Sequence, residues 1–222
     1  MKGMSMKLMP ALPESIFDIV YLVFAVSTGL TLLKSLHLRR DIRLMGAAAL
    51  VLGCGDAFHL IPRVLAYWVN GDFTAALGIG KLITSVTMTV FYLLLEYVRR
   101  GRHRAAAHGG ELTAIWILAV VRTALCLFPQ NAWTSAQAPL SWGIYRNIPF
   151  TVMGVLAVIL WHRVSQEEGP LRPIYIAIAL SFAFYLPVVL LADRIPAVGM
   201  LMLPKTVMYI WMLCMFRKAA KE

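Results

Sequence analysis

Hydrophobic residues along this chain come in long runs separated by short polar segments. Seven runs can be read, at approximately 15–36, 43–69, 73–98, 112–129, 143–163, 172–192 and 196–216. Each is close to the roughly 20 residues with which an α-helix, rising about 1.5 Å per residue, crosses some 30 Å of hydrocarbon. Turn and cap residues support the boundaries. Pro13-Glu14-Ser15 is expected to open the first run, with Ser15 as an N-cap. Gly71-Asp72 marks a turn after the second, and Gly169-Pro170 and Pro196 punctuate later connections. Lys2 and Lys7 precede no apolar stretch ending in a small-residue cleavage site. The run 15–36 is also too long for a signal-peptide core, so it is read as a retained span.

Composition makes the pattern more specific. The 222 residues are 60% hydrophobic and only 14% charged, with a mean hydropathy of +0.73. Soluble domains carry about 25% charged residues. The expected class is therefore an all-α integral membrane protein, multi-pass in the cell membrane, with one seven-helix domain over residues 1–222. The formal charge of +10 invites a nucleic-acid reading, but its placement argues against one. Lys34, Arg39, Arg40, Arg43, Arg99, Arg100, Arg102, Arg104, Arg163, Arg172, Arg217, Lys218 and Lys221 all fall in one set of loops. Lys2, Lys7 and Arg194 fall in the other. Such asymmetry sets topology, and it places the N-terminus outside and the C-terminus in the cytoplasm. Cys54, Cys126 and Cys214 lie in spans and form no CxxC pattern, so they read as packing residues. Gly78-Ile79-Gly80 lacks the third glycine of a dinucleotide fingerprint.

Ionisable residues within the spans carry the candidate chemistry. Asp56, His59 and Arg63 recur at i, i+3 and i+7, on one helical face. Each such group costs about 2.5–3.5 kcal/mol at the bilayer centre even on a lenient scale, so the stripe is expected to face protein or water. Other spans add the cations Lys81, Arg122, Arg146 and Lys205, and the acid Asp18. Arg146 and Asp18 are near enough to a span end to snorkel. Asp56 with Arg63 or Lys81 reads alternatively as an ion pair fixing helix register. Five cations against two acids nevertheless leave positive charge without a counter-ion. The expectation is that Arg63, Lys81, Arg146 and Lys205 converge on one outward-facing basic cavity, with Arg122, Asn147 and Tyr209 also lining it. Asp56, His59 and Asp18 are its candidate proton-coupling or ion-pair groups. Trp68, Trp133 and Trp142 suit an interfacial belt.

Spans one to three and five to seven echo one another. Phe58-His59-Leu60-Ile61-Pro62 matches Phe184-Tyr185-Leu186-Pro187, and Ala76-Leu77-Gly78 matches Ala197-Val198-Gly199. Two parallel repeats, 15–98 and 143–216, would then flank a linking helix at 112–129. This 3+1+3 layout resembles the SWEET and PQ-loop transporter superfamily. Pro62, Pro149, Pro187 and Pro204 match the prolines of its triple-helix bundles, whereas span one has no proline and Pro129-Gln130 ends span four. The resemblance implies an architecture. The phrases GDAFHLIPR, LFPQNAW, IYRNIPF and LPKT also resemble signatures of a family of small bacterial seven-span membrane proteins, a likeness that implies no activity.

A cavity rich in Arg and Lys suits a carboxylate or phosphate on a small organic solute. The leading expectation is a transporter of such an anion, with proton coupling through Asp56 and His59. A receptor binding the same ligand without moving it is the alternative, though the short tail Arg217–Glu222 offers a partner little. An intramembrane enzyme acting on a lipid head group ranks lower. His37, His103, His108 and His162 lie in or beside loops, leaving His59 alone within a span, and no nucleophile motif is present. A retinal protein with Lys205 as attachment point lacks the usual acid in span three, where Lys81 stands. No cofactor, metal, catalytic residue or nucleic-acid partner is expected. Membrane lipid is the remaining partner.

Overall fold

The chain is described by a computed structural model covering residues 2–34, 39–103, 109–166, 169–192 and 194–222, with side chains from residue 11 onward. His37, Arg104 and His108 lie outside the described residues, as do the side chains of Lys2 and Lys7. Helix makes up 85% of the structure, and no strand occurs among the described residues. The elements are α1 (Lys2–Lys34), α2 (Arg40–Trp68), α3 (Thr74–Arg102), α4 (Gly109–Leu127), α5 (Leu140–Arg163), α6 (Ile174–Leu191) and α7 (Met202–Ala219). Short 3-10 turns at Pro129–Asn131 and Pro196–Leu201 precede α5 and α7. All seven long helices are long and apolar enough to cross a membrane.

The helices stay apolar on their outer faces. Val20, Val23, Ile117, Val120, Val155 and Ile159 all point away from the bundle, more than two-fifths exposed. Water would penalise that surface, whereas hydrocarbon would not. Short connections make successive helices antiparallel neighbours. Each packs on the next, α3 also meets α5, and α7 returns to α1 and α2, closing the bundle. Its core includes Tyr21, Met45, Leu52, Phe91, Tyr92, Met153 and Phe216, all essentially inaccessible.

The α2–α3 seam is the tightest, and small residues explain why. A Cβ at Gly80 would fall on the backbone of Phe58 and His59 in α2. A Cβ at Gly78 would strike the Trp133 carbonyl in the segment that follows α4. Removing side chains lets backbones approach, which is how helices associate where no hydrophobic drive separates them from lipid. The Thr84 hydroxyl then donates 3.1 Å across the seam to the Gly55 carbonyl. Pro62, Pro149 and Pro187 lie inside helices. Pro204 lies in the first turn of α7, where its missing N–H removes no helical bond.

Charge clamps gather at one end. Arg99, fully buried, donates to both Glu96 oxygens at 2.8 and 2.7 Å and to Glu111 at 2.6 Å. Glu111 also takes Arg163 at 3.1 Å, so α3, α4 and α5 are tied together. Asp41 takes Arg39 at 2.9 Å and Arg102 at 3.3 Å, and Arg102 reaches Glu222 at 3.4 Å. We call this the basic end.

One boundary differs from the expectation in a way that changes the site. α1 does not begin at a Ser15 cap; it runs through Pro13 and Glu14 from upstream. Ser15 instead accepts a hydrogen bond from the Trp68 indole at 3.1 Å. Glu14 is thereby carried into the α1–α2 interface as a helical residue. A Gly80→Leu substitution is expected to destabilise the protein by about 1–3 kcal/mol through overpacking of the α2–α3 seam. Thermal unfolding of the detergent-purified protein measures it, and an unchanged midpoint would refute the close-approach account.

Candidate functional site

Two helical stripes meet between α1 and α2. Glu14, Asp18 and Tyr21 recur at i, i+4 and i+7 on α1, and Arg63 and Asp56 answer them from α2. Arg63 forms an ion pair with Glu14. Tyr67 donates to the same carboxylate at 3.0 Å. Asp18, 4% exposed, lies one turn deeper, and its Oδ2 has no hydrogen-bond partner. Deeper still, the Tyr21 hydroxyl donates to Asp56 Oδ2 at 2.6 Å. His59 leaves this row. Its Nδ1 lies 3.3 Å from the Leu77 carbonyl, on the side of α2 that meets α3.

The row leads to a cluster at the centre of the bundle. Closure of α7 onto α1 and α2 brings Lys205 to Asp56, and Lys205 is the cation whose field acts most on that carboxylate. Lys205 is buried, its ammonium 4.7 Å from the Tyr185 ring centre and 5.2 Å from that of Tyr209. Such placement over aromatic faces gives a cation partial compensation for lost water. Arg122 of α4 is the other cation acting on Lys205. Its guanidinium carbon lies 3.3 Å from the centre of the Phe150 ring. Arg122 is 2% exposed, and two of its three side-chain nitrogens, Nε and Nη1, have no acceptor. Tyr185 donates to the Asn147 Oδ1 at 2.7 Å, and Asn147 donates to the Gly143 carbonyl at 2.8 Å. Lys205 thus stands between Asp56 on one side and Arg122 on the other.

The other expected cations sit apart from this centre. Arg146 donates to Asn131 at 2.8 Å and stacks over Trp133 at 4.3 Å. Asn131 in turn donates to the Leu125 and Phe128 carbonyls at 2.7 and 2.9 Å. Together they satisfy the open carbonyls at the C-terminus of α4, where a cation also suits the helix dipole. Lys81 is exposed on α3, its charge acts on His59 across the α2–α3 seam, and the Ser85 hydroxyl bonds back to the Lys81 carbonyl at 2.7 Å. Arg63 is held by Glu14. Of the four cations expected to converge, Lys205 is buried, Arg63 is paired with Glu14, Arg146 is bonded to Asn131 and Lys81 is exposed; the charges of Lys81, Arg63 and Lys205 all reach His59.

The described hollows lie elsewhere. One of about 20 Å³, room for a single water, is lined at the basic end by Arg102, His103, Trp161 and Ser165. An open apolar groove between α4 and α5 is lined by residues such as Ile117, Val152 and Ile159. No grouping of three or more His, Cys, Asp or Glu suited to a metal ion occurs among the described residues.

Sequence reasoning missed Glu14, Tyr21, Phe150 and Tyr185. Glu14, Asp18 and Tyr21 had a visible signal, the same i to i+7 repeat as Asp56 and Arg63. Phe150 and Tyr185 had none, because their role depends on which helices meet. The chain matches no protein-family model, no curated protein and no solved structure. The chemistry of the site must therefore be argued from its own residues.

The Tyr21–Asp56 bond gives a direct test of this geometry. In a double-mutant cycle of Tyr21→Phe and Asp56→Asn, unfolding stability is expected to show a coupling of about 1.5–3 kcal/mol, the range for a hydrogen bond to a charged group. Additive effects would show that the two groups do not interact.

Proposed function

We propose that this protein is a membrane transporter that binds a small organic anion between Arg122 and Lys205 at the centre of the bundle. One observation carries the reading: a guanidinium cut off from solvent with two nitrogens lacking an acceptor. Arginine stays protonated in proteins, so Arg122 keeps its charge. A buried charge without a counter-ion costs several kcal/mol, and Asp56 is a carboxylate whose charge acts on Lys205. A carboxylate or phosphate placed between the two cations would supply the acceptors that Nε and Nη1 lack. Phe150, Tyr185 and Tyr209 would close the site with apolar faces and one hydroxyl already committed to Asn147.

Distribution of the cations supports this narrower site over the broad basic cavity read from the sequence. Arg146 and Arg63 have partners of their own, so neither is free to recognise a ligand at the centre. Binding among buried side chains rather than at a surface favours transport over sensing. Arg122 lies five residues inside the C-terminal end of α4, about 8 Å along the helix. The proposal includes the orientation read from loop charges, with the basic end in the cytoplasm, the cell membrane as location, and α1–α3 and α5–α7 as parallel repeats about α4.

A thermal-shift series with succinate, lactate, inorganic phosphate and phenyl phosphate tests the site. At least one is expected to raise the unfolding midpoint of the wild type. Arg122→Gln and Lys205→Gln should each weaken that response about tenfold or more in anion concentration. If none of the anions stabilises the wild type, or if both variants respond as it does, the anion site is refuted. Uptake of the responding anion into proteoliposomes then separates transport from binding alone.

A further inference from the structure

We propose that the α1–α2 seam is a proton path leading to the Lys205–Arg122 site, with Asp18 as its intermediate carrier. Asp56 is the acid whose protonation sets the charge that site presents to an anion. The inference rests on the anion-binding reading for its second half only; the path itself stands on the geometry of the seam.

Three observations carry it. First, titratable groups follow one another down the seam without a break in helical register: Glu14, Asp18 and Tyr21 from α1, with Arg63 and Asp56 from α2. A packing interface has no need of such a row. Second, Asp18 is 4% exposed and its Oδ2 has no partner. A carboxylate that served only to fix the helices would be expected to have its oxygens bonded. An oxygen left open is one that can take a proton and give it up. Third, the row has distinct ends. The outer end is the partly accessible Glu14–Arg63 pair, near Trp68 and away from the basic end. The inner end is Asp56, held by Tyr21 and facing Lys205.

The charged and titratable groups acting on Asp18 are Arg63 and Asp56 from α2 and Glu14 from its own helix. Tyr21 also senses Asp18, and through Tyr21 the row adjoins Tyr209 of α7. His59 does not belong to the path, since it faces α3 and the Leu77 carbonyl.

Charge balance gives the consequence. With Asp56 ionised, Lys205 and Arg122 leave the centre at a net single positive charge. A proton from the medium, carried over Asp18 and bound to an Asp56 oxygen, removes the negative charge and leaves two cations. No bond to carbon changes; one proton is taken up, and the site gains one unit of positive charge. An anion then binds more tightly, and by reciprocity the bound anion favours proton uptake. Proton and anion would enter together.

Two measurements test the proposal, one of them independent of any anion. Infrared difference spectra of the reconstituted protein between acid and alkaline pH are expected to contain two buried carboxylic-acid bands. Asp18→Asn should remove one, and Asp56→Asn the other. A spectrum unaltered by Asp18→Asn would overturn the path, whether or not an anion binds. The second measurement uses succinate. Its affinity for the wild type should tighten by up to about tenfold per unit fall in pH, the limit for one linked proton. That dependence should vanish in Asp56→Asn. In proteoliposomes with an imposed pH gradient, Asp18→Asn should slow succinate uptake at least about tenfold while its affinity at equilibrium changes less than twofold. Asp18→Glu should restore most of the rate. Unchanged uptake by Asp18→Asn, or a pH dependence that survives in Asp56→Asn, would refute the coupling. Failure of succinate, lactate, inorganic phosphate and phenyl phosphate alike to bind at any pH would refute the anion site, and the infrared result would then decide the path by itself.

Discussion

A charge placed inside an apolar bundle must be answered by another charge, by hydrogen-bond partners or by an aromatic face, and this requirement organises the whole molecule. At the basic end the answer is complete. Arg99 is fully buried, yet its donors meet Glu96 and Glu111, and Glu111 also meets Arg163. Pairs of this quality offset much of their desolvation and, more importantly, fix which helices lie together. At the opposite end the answers are again local: Glu14 for Arg63, and Asn131 with the Trp133 ring for Arg146. Among the described residues the requirement is left partly open at Asp18 in the α1–α2 seam, which keeps one oxygen unpartnered, and in the centre. There Lys205 faces Asp56, and Arg122 keeps two nitrogens without acceptors.

That contrast separates structure from function within one class of residue. Arg99, Arg146 and Arg122 are all buried or half-buried arginines on apolar helices, and their sequence contexts do not distinguish them. Their partners do. Arg99 ties three helices, Arg146 completes the end of α4, and Arg122 rests on Phe150 with donors to spare. A fully satisfied network resists change because every movement exposes a charge. An unsatisfied one is poised to bind whatever supplies the missing acceptors. The basic end and the open centre are thus complementary: the clamps tie α3, α4 and α5 together, and Arg122 lies on α4 within that frame.

The helices themselves were legible in the hydrophobic pattern, because crossing a membrane fixes both the length and the polarity of a segment. Five of the seven ranges agree with the observed helices within about four residues at each end, the scatter expected when boundaries are read from sequence, and the last does so once the 3-10 turn Pro196–Leu201 is counted with α7. The start of α1 was misjudged, since Pro13 looked like a boundary and proved to lie within the helix. That one shift brought Glu14 into the seam and turned Arg63 from an unpaired cation into a paired one. The site was legible only in its ingredients. Asp56, Arg122 and Lys205 stood out as costly residues, but their meeting depends on α7 closing against α1 and α2, which no local pattern encodes. The depth of Lys81 could be counted along α3, whereas its exposure depends on how the helices pack.

The same requirement explains why the row of acids on α1 fits a path better than a brace. A brace needs each carboxylate to hold a fixed partner, as Glu96 and Glu111 do. Asp18 instead has an open oxygen midway between Glu14, which has its cation, and Asp56, which has its tyrosine. Removing Asp18 to a neutral apolar residue would cost the seam no visible hydrogen bond at that oxygen. Its presence in so unfavourable a place needs a gain elsewhere. On the proposed path, communication between the Glu14–Arg63 end of the seam and the charge state of the Lys205–Arg122 centre would supply that gain.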